Sequence, residues 1–146
     1  MVCRCAQARR AIEPGRVNVN SSVAKPIIYV IDDDPAVRDS VHVLLESSGF
    51  EVRSYVSTVM FLAETPPLEG NCLIIDVNMP ELDGIELLDR LRREGVRAPA
   101  ILMTGGGISM SLVSRANRNC APLLEKPIMA RELVGQVHKA LDGRLG

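Results

Sequence analysis
Short apolar runs alternate with longer amphipathic stretches from residue 27 to residue 141. Ile27-Ile28-Tyr29-Val30-Ile31 is a β-branched run with no polar interruption, the pattern of a strand buried on both faces. Asp34-Pro35 then predicts a helix start, with Asp34 as cap and Pro35 in the first turn. Val37, Val41, Leu44, Leu45 and Ser48 form its inward stripe, and Gly49 ends it. Phe50 to Tyr55 reads as a second strand, with Phe50 and Val52 on one side. A short helix follows from Ser57 to Glu64, stopped before Pro66-Pro67. Cys72 to Ile75 is the most continuous strand, and Asp76 terminates it. Beyond a loop from Asn78 to Gly84, Ile85, Leu87, Leu88 and Leu91 mark a helix that ends near Gly95. Ala100 to Met103 is the fourth strand. Residues 108–118 make a weaker helix with Leu112, Val113 and Ala116 inward. Ala121 to Leu124 is the fifth strand, and Arg131 to Leu141 the last helix.

Strand and helix in strict alternation predict an α/β fold, an open parallel sheet covered on both faces. Right-handed crossovers then place every strand-to-helix loop on the carboxyl edge of the sheet. Polar groups close four of the apolar runs: Asp32-Asp33, Asp76, Thr104 and Lys126. The topology therefore predicts that three carboxylates, a hydroxyl and an ammonium gather on one edge.

Composition narrows the setting. A chain of 146 residues with 47% apolar and 24% charged side chains is long enough for one domain with a real core. Two Phe, two Tyr and no Trp leave that core to Leu, Ile, Val and Met, and supply few platforms for stacking on single-stranded nucleic acid. Net charge is −1, so the whole chain has no basic footprint for a polyanion. Residues 1–25 nevertheless carry +4 (Arg4, Arg9, Arg10, Arg16 and Lys25 against Glu13) and the remainder −5. They read as a flexible basic arm, followed by a domain over residues 26–142 with no room for a second. Cys3-x-Cys5 is too short for zinc-knuckle spacing. Cys72 and Cys120 read as buried thiols of a reducing compartment. No run approaches a membrane span and no secretory segment opens the chain, so a cytoplasmic protein is expected.

Adjacent Asp32, Asp33 and Asp34 repel one another unless a cation intervenes or the helix start uses them as caps. A fourth carboxylate, Asp76, at another buried strand end favours a cation. Hard oxygen ligands of this kind suit Mg²⁺ with a position left for a phosphoryl oxygen. Asp76 attacking phosphorus would yield an acyl phosphate, whose oxygens Lys126 and Thr104 can meet with an ammonium and a hydroxyl. Pro127 restricts Lys126 to extended backbone, and a cis bond is one way to aim it inward. A module that binds partners without phosphorylation is a second reading. A small hydrolase with Asp76 as nucleophile is a third, although neither His42 nor His138 is placed to be its base.

These residues resemble the receiver domain of two-component response regulators, closest to the nitrogen-fixation transcriptional regulator type. Ile31-Asp32-Asp33-Asp34-Pro35 is similar to that family's acidic pair. Ile75 to Pro80 with Asp83-Gly84 is similar to its phosphoacceptor segment, Thr104-Gly105 to its switch hydroxyl, and Glu125-Lys126-Pro127 to its lysine-proline loop. Intervals of 44, 28 and 22 residues between Asp32, Asp76, Thr104 and Lys126 also fit. The resemblance implies the flavodoxin-like (CheY-like) three-layer sandwich with strand order 2-1-3-4-5. It implies phosphorylation at Asp76, and Mg²⁺ on Asp32, Asp33 and Asp76 with the Asn78 backbone carbonyl, Asp33 being the more direct of the acidic pair. Thr104 would turn toward the phosphoryl group and Lys126 would bind it. The implied role is a signalling receiver rather than an enzyme. Its implied partners are a sensor histidine kinase, a downstream protein and a second copy of the chain, with no nucleic-acid or membrane contact. The family's usual DNA-binding output domain has no counterpart here. Three departures stand out. Leu123 replaces the usual Tyr or Phe, which predicts weak coupling of phosphorylation to the neighbouring surface. Asn119-Cys120 replaces Gly-Ala, with Asn119 suited to a left-handed turn. Gly105-Gly106-Gly107 predicts a loose loop, and Ile108 takes the place of an acid.

Overall fold
The computed structural model describes residues 25–80 and 82–142. The predicted arm before Lys25, with Cys3-x-Cys5, and residue Glu81 lie outside the described residues. Five strands form one parallel sheet: β1 (Ile27–Ile31), β2 (Glu51–Tyr55), β3 (Cys72–Asp76), β4 (Ala100–Thr104) and β5 (Leu123–Glu125). Their order is β2-β1-β3-β4-β5. The helices are α1 (Pro35–Ser47), α2 (Thr58–Glu64), α3 (Gly84–Arg93), α4 (Met110–Arg118) and α5 (Ala130–Asp142).

Alternate side chains of the central strands feed two separate cores, because successive residues of a strand point to opposite faces. Tyr29, Ile31, Leu73, Ile75 and Leu102 pack with Phe61 of α2, with Ile85, Leu88 and Leu91 of α3, and with Ala116 of α4. Ile28, Val30, Ile74, Ile101 and Met103 pack with Val41 and Leu45 of α1 and with Leu133, Val137 and Leu141 of α5. Phe50 and Val52 share that second face, as their spacing predicts. Three of the four aromatic rings collect under α2, where Phe61 meets Tyr29 and Tyr55 edge-on.

Local chemistry sets the element ends. Asp34 caps α1, its side chain accepting from Ala36 and Val37 N–H, with Pro35 in the first turn. Ser57 caps α2 and Ser109 caps α4 in the same way. Asp83 and Glu86 form a capping box at α3. Four expectations are corrected. Ser48 is exposed and serves as the C-cap of α1, not as part of its buried stripe. β5 begins at Leu123 rather than Ala121, because the chain turns just before it. At that turn Asn119 keeps a negative φ and Cys120 takes the left-handed conformation (φ 58°). Asn119 is instead buried, its amide donating to Asp89 Oδ1 (2.8 Å) and Arg115 O (3.0 Å). Cys72 is buried as expected, whereas Cys120 is half-buried and in a disulfide. Among the described residues no helix is long and apolar enough to cross a membrane.

Candidate functional site
The three consecutive acids after β1 divide their work. Asp32 is fully buried, and its Oδ1 accepts the Asp34 N–H at 2.9 Å. Its own N–H continues the sheet to Tyr55 O (3.2 Å), and Arg38 holds its carbonyl at 2.8 Å. Asp33 is exposed beside it. Asp34 alone is the helix cap, so capping does not account for the acidic pair.

Asp76 ends β3 with only 3% of its surface exposed. The Asn78 N–H donates to its Oδ1 at 3.1 Å. Lys126 reaches in from the loop after β5, its Nζ 3.1 Å from Asp32 Oδ2 and 3.4 Å from Asp76 Oδ2. The lysine is placed by its N–H, which extends the β4–β5 ladder to Thr104 O (2.8 Å); the Lys126–Pro127 peptide is cis. Asp32, Asp33 and Asp76 each present a carboxylate oxygen within 4.8 Å of the others.

The electrostatics follow from this crowding. Burial, then the neighbouring Asp32 charge, raise Asp76 to about 6, against the opposing pull of the Asn78 N–H and Lys126. Burial alone would lower the Lys126 ammonium, but its close approach to Asp32 and the two carboxylate charges raise it. Three ionised carboxylates against one ammonium leave a formal charge of −2 in the cluster. Asp32 Oδ2, although beside the ammonium, takes no well-directed hydrogen bond. A divalent cation with oxygen preference fits both the charge and the open oxygen.

Thr104 is buried at the end of β4 but is not drawn into the carboxylates. Its hydroxyl lies 3.2 Å from Asn78 Oδ1 and 3.4 Å from Gly107 O, and accepts the Gly106 N–H at 3.2 Å. The triple-glycine loop is thus tied by side-chain hydrogen bonds, with Gly107 in the left-handed region (φ 90°). The structure brings together Asp32, Asp33, Asp76 and Lys126 and holds Thr104 one residue away, across Asn78. His42 bonds Ser54 Oγ and Glu46 on the sheet flank, and His138 packs on Phe50, so neither enters the site.

Sequence reasoning missed two contributors. One is the Asn78 carboxamide, since nothing in the sequence distinguishes a loop side chain that bonds Thr104 from a solvated one. The other is Gly84, where an added Cβ would lie 2.3 Å from Asp76 O and 2.7 Å from Ile75 Cγ2. The sequence placed Asp83-Gly84 at the end of a loop, whereas Asp83 caps α3 and Gly84 begins it, and nothing in the sequence signalled this contact. Beside the site an open cleft of about 710 Å³ runs between the loop after β3 and the start of α4, with Asn78, Thr104, Gly106 and Arg115 in its wall. Arg115 spans it toward Asp83 at 3.9 Å.

Comparison with known proteins agrees with this geometry. A family model described as the response regulator receiver domain matches residues 28–138. The transcriptional regulatory protein FixJ of Bradyrhizobium diazoefficiens is 40% identical over 114 residues, covering 78% of this chain and 56% of that protein. The solved structure of full-length FixJ from B. japonicum superposes with a TM-score of 0.74 at 40% identity, covering 83% of this chain and 60% of that one. The response regulator StyR superposes with a TM-score of 0.76 at 34% identity, covering 84% and 62% respectively. This chain spans little more than half the length of such curated relatives.

Proposed function
The chain belongs to the response regulator receiver family, and from that premise we propose that residues 26–142 take a phosphoryl group onto Asp76 from a sensor histidine kinase and signal it through protein contacts. Receiver domains of this family are signal-transduction modules rather than enzymes in the usual sense. The observation that carries the reading is the convergence of buried Asp76 with Asp32, Asp33 and Lys126.

In this reading an oxygen of Asp76 bonds to phosphorus as the P–N bond of a phosphohistidine breaks, giving an acyl phosphate and a free imidazole that takes a proton from water. Lys126, already between Asp32 and Asp76, transfers one of its contacts to a phosphoryl oxygen. Thr104 supplies a hydroxyl to another. Asp32, Asp33 and Asp76 with the Asn78 carbonyl are the residues that would hold Mg²⁺, Asp33 being the accessible member of the acidic pair. Bound there, Mg²⁺ offsets charge on the phosphoryl oxygens. The Asn78 N–H keeps Asp76 oriented, with one oxygen tied and the other turned to Lys126.

Acetyl phosphate with Mg²⁺ is expected to add one phosphoryl group to the intact protein, read by mass, and Asp76→Asn to abolish the addition. No mass shift would sink the proposal. Turnover of a small phosphate ester would favour a hydrolase instead.

A further inference from the structure
We propose that the Asn78 carboxamide is a latch: it holds Thr104 and Gly105 in the unphosphorylated arrangement and must let go when Asp76 is modified. The inference rests on the phosphoacceptor reading above.

Two donors follow β4 directly, the Thr104 hydroxyl and the Gly105 N–H. Both lie against the same acceptor, Asn78 Oδ1, at 3.2 Å and 3.4 Å. A hydroxyl has a single proton to give, and Asn78 Oδ1 lies nearer to it than its other acceptor, Gly107 O at 3.4 Å, so Thr104 cannot donate to a phosphoryl oxygen while it donates to Asn78. Gly105 can turn its N–H to a new anion only by leaving the same oxygen. Asn78 also connects this lock to the reacting group, because its backbone N–H donates to Asp76 Oδ1 at 3.1 Å. A change at Asp76 is thus felt at Thr104 through one residue.

The surroundings allow release. Asn78 is exposed, so its side chain can be hydrated once it swings away. Residue 106 offers no side chain against it, and even an added Cβ there would stay 3.8 Å from Oδ1. Asn78 is therefore a positioning residue: its side chain acts through Thr104 and Gly105.

The test is Asn78→Ala, which keeps the backbone N–H and carbonyl and removes an exposed side chain. In the free protein the Gly105 amide resonance is expected to move upfield as its hydrogen bond is lost. Beryllofluoride with Mg²⁺ is expected to bind roughly three- to tenfold tighter than to the unaltered protein, the factor carried by one modest hydrogen bond. In a Thr104→Ala background the same substitution should gain less, because no hydroxyl remains to be freed. Unchanged or weaker binding by Asn78→Ala, with the unaltered protein binding normally, overturns the latch. If the unaltered protein binds no beryllofluoride, the phosphoacceptor reading falls and the latch falls with it.

Discussion
Asp76 is held where ionisation is costly, and that cost gives the site a pH signature. Its carboxyl sits at about 6 in the folded protein, against roughly 3.9 in an unfolded chain. Below pH 4 the group is protonated in both states and costs nothing. As pH rises from about 4 to 6 the unfolded chain ionises this group while the folded protein still holds the proton, so stability falls, and above 6 the loss is complete. The loss amounts to roughly 2–3 kcal/mol in metal-free buffer. Asp76→Asn removes that term. The variant should be about 2 kcal/mol more stable than the unaltered protein at pH 7.5 by urea denaturation, with the difference shrinking toward pH 4.5. Equal or lower stability at pH 7.5 would show that Lys126 already balances the charge. Lys126 is a different case. With only 18% of its side chain exposed, it is the cation beside two buried carboxylates. Lys126→Ala should destabilise the metal-free protein by about 3 kcal/mol, and millimolar Mg²⁺ should restore part of the loss, measured as a rise in melting temperature.

Element packing delivers these residues to one edge, and the contact of α3 with β3 is its tightest point. Gly84 begins α3 against the Asp76 carbonyl, where a methyl would come within 2.3 Å of backbone oxygen. Backbone does not yield as a flexible side chain would. Gly84→Ala should therefore lift the start of α3 off β3, at about 1–3 kcal/mol, and slow acetyl phosphate labelling because Asp76 and Asn78 flank the contact. Unaltered denaturation midpoint and labelling rate would contradict this. The strands and helices and four of the site residues were legible in the sequence because each leaves a local trace: an apolar run, a cap, an acid or lysine closing a strand; the order of the strands in the sheet came only with the family resemblance. Close approach leaves none, so Gly84 read only as the end of a loop. Long-range polar contacts are equally silent. Arg92, on α3, donates to the carbonyls of Val96, Ala98 and Asn119, and Asn119 bonds Asp89. That network ties the end of α3 to the turn before β5, and it occupies Asn119, leaving Cys120 to adopt the left-handed conformation.

The described residues build two cores on one sheet, and they differ in how they meet the site. α1 and α5 close one face, while α2, α3 and α4 close the other, where Leu123 and Leu112 are each half-buried against the core. Of the helices on that second face, α4 buries only Ala116 fully, yet it follows directly from the loop after Thr104. Movement of Thr104 would reach the surface through this lightly anchored helix and the neighbouring β5. An aromatic ring at residue 123 would offer about 150–250 Å² to bury on such a rearrangement. Leucine offers less area and no planar ring to swing, so filling and vacating the space differ less in free energy. Phosphorylation and surface change should accordingly be weakly coupled. Sedimentation velocity of the free protein and of its beryllofluoride complex with Mg²⁺ is expected to give the same oligomeric state, and Leu123→Phe to increase any response. A clean monomer-to-dimer conversion of the unaltered protein would show that the site drives its surface by a route that does not need a ring at residue 123.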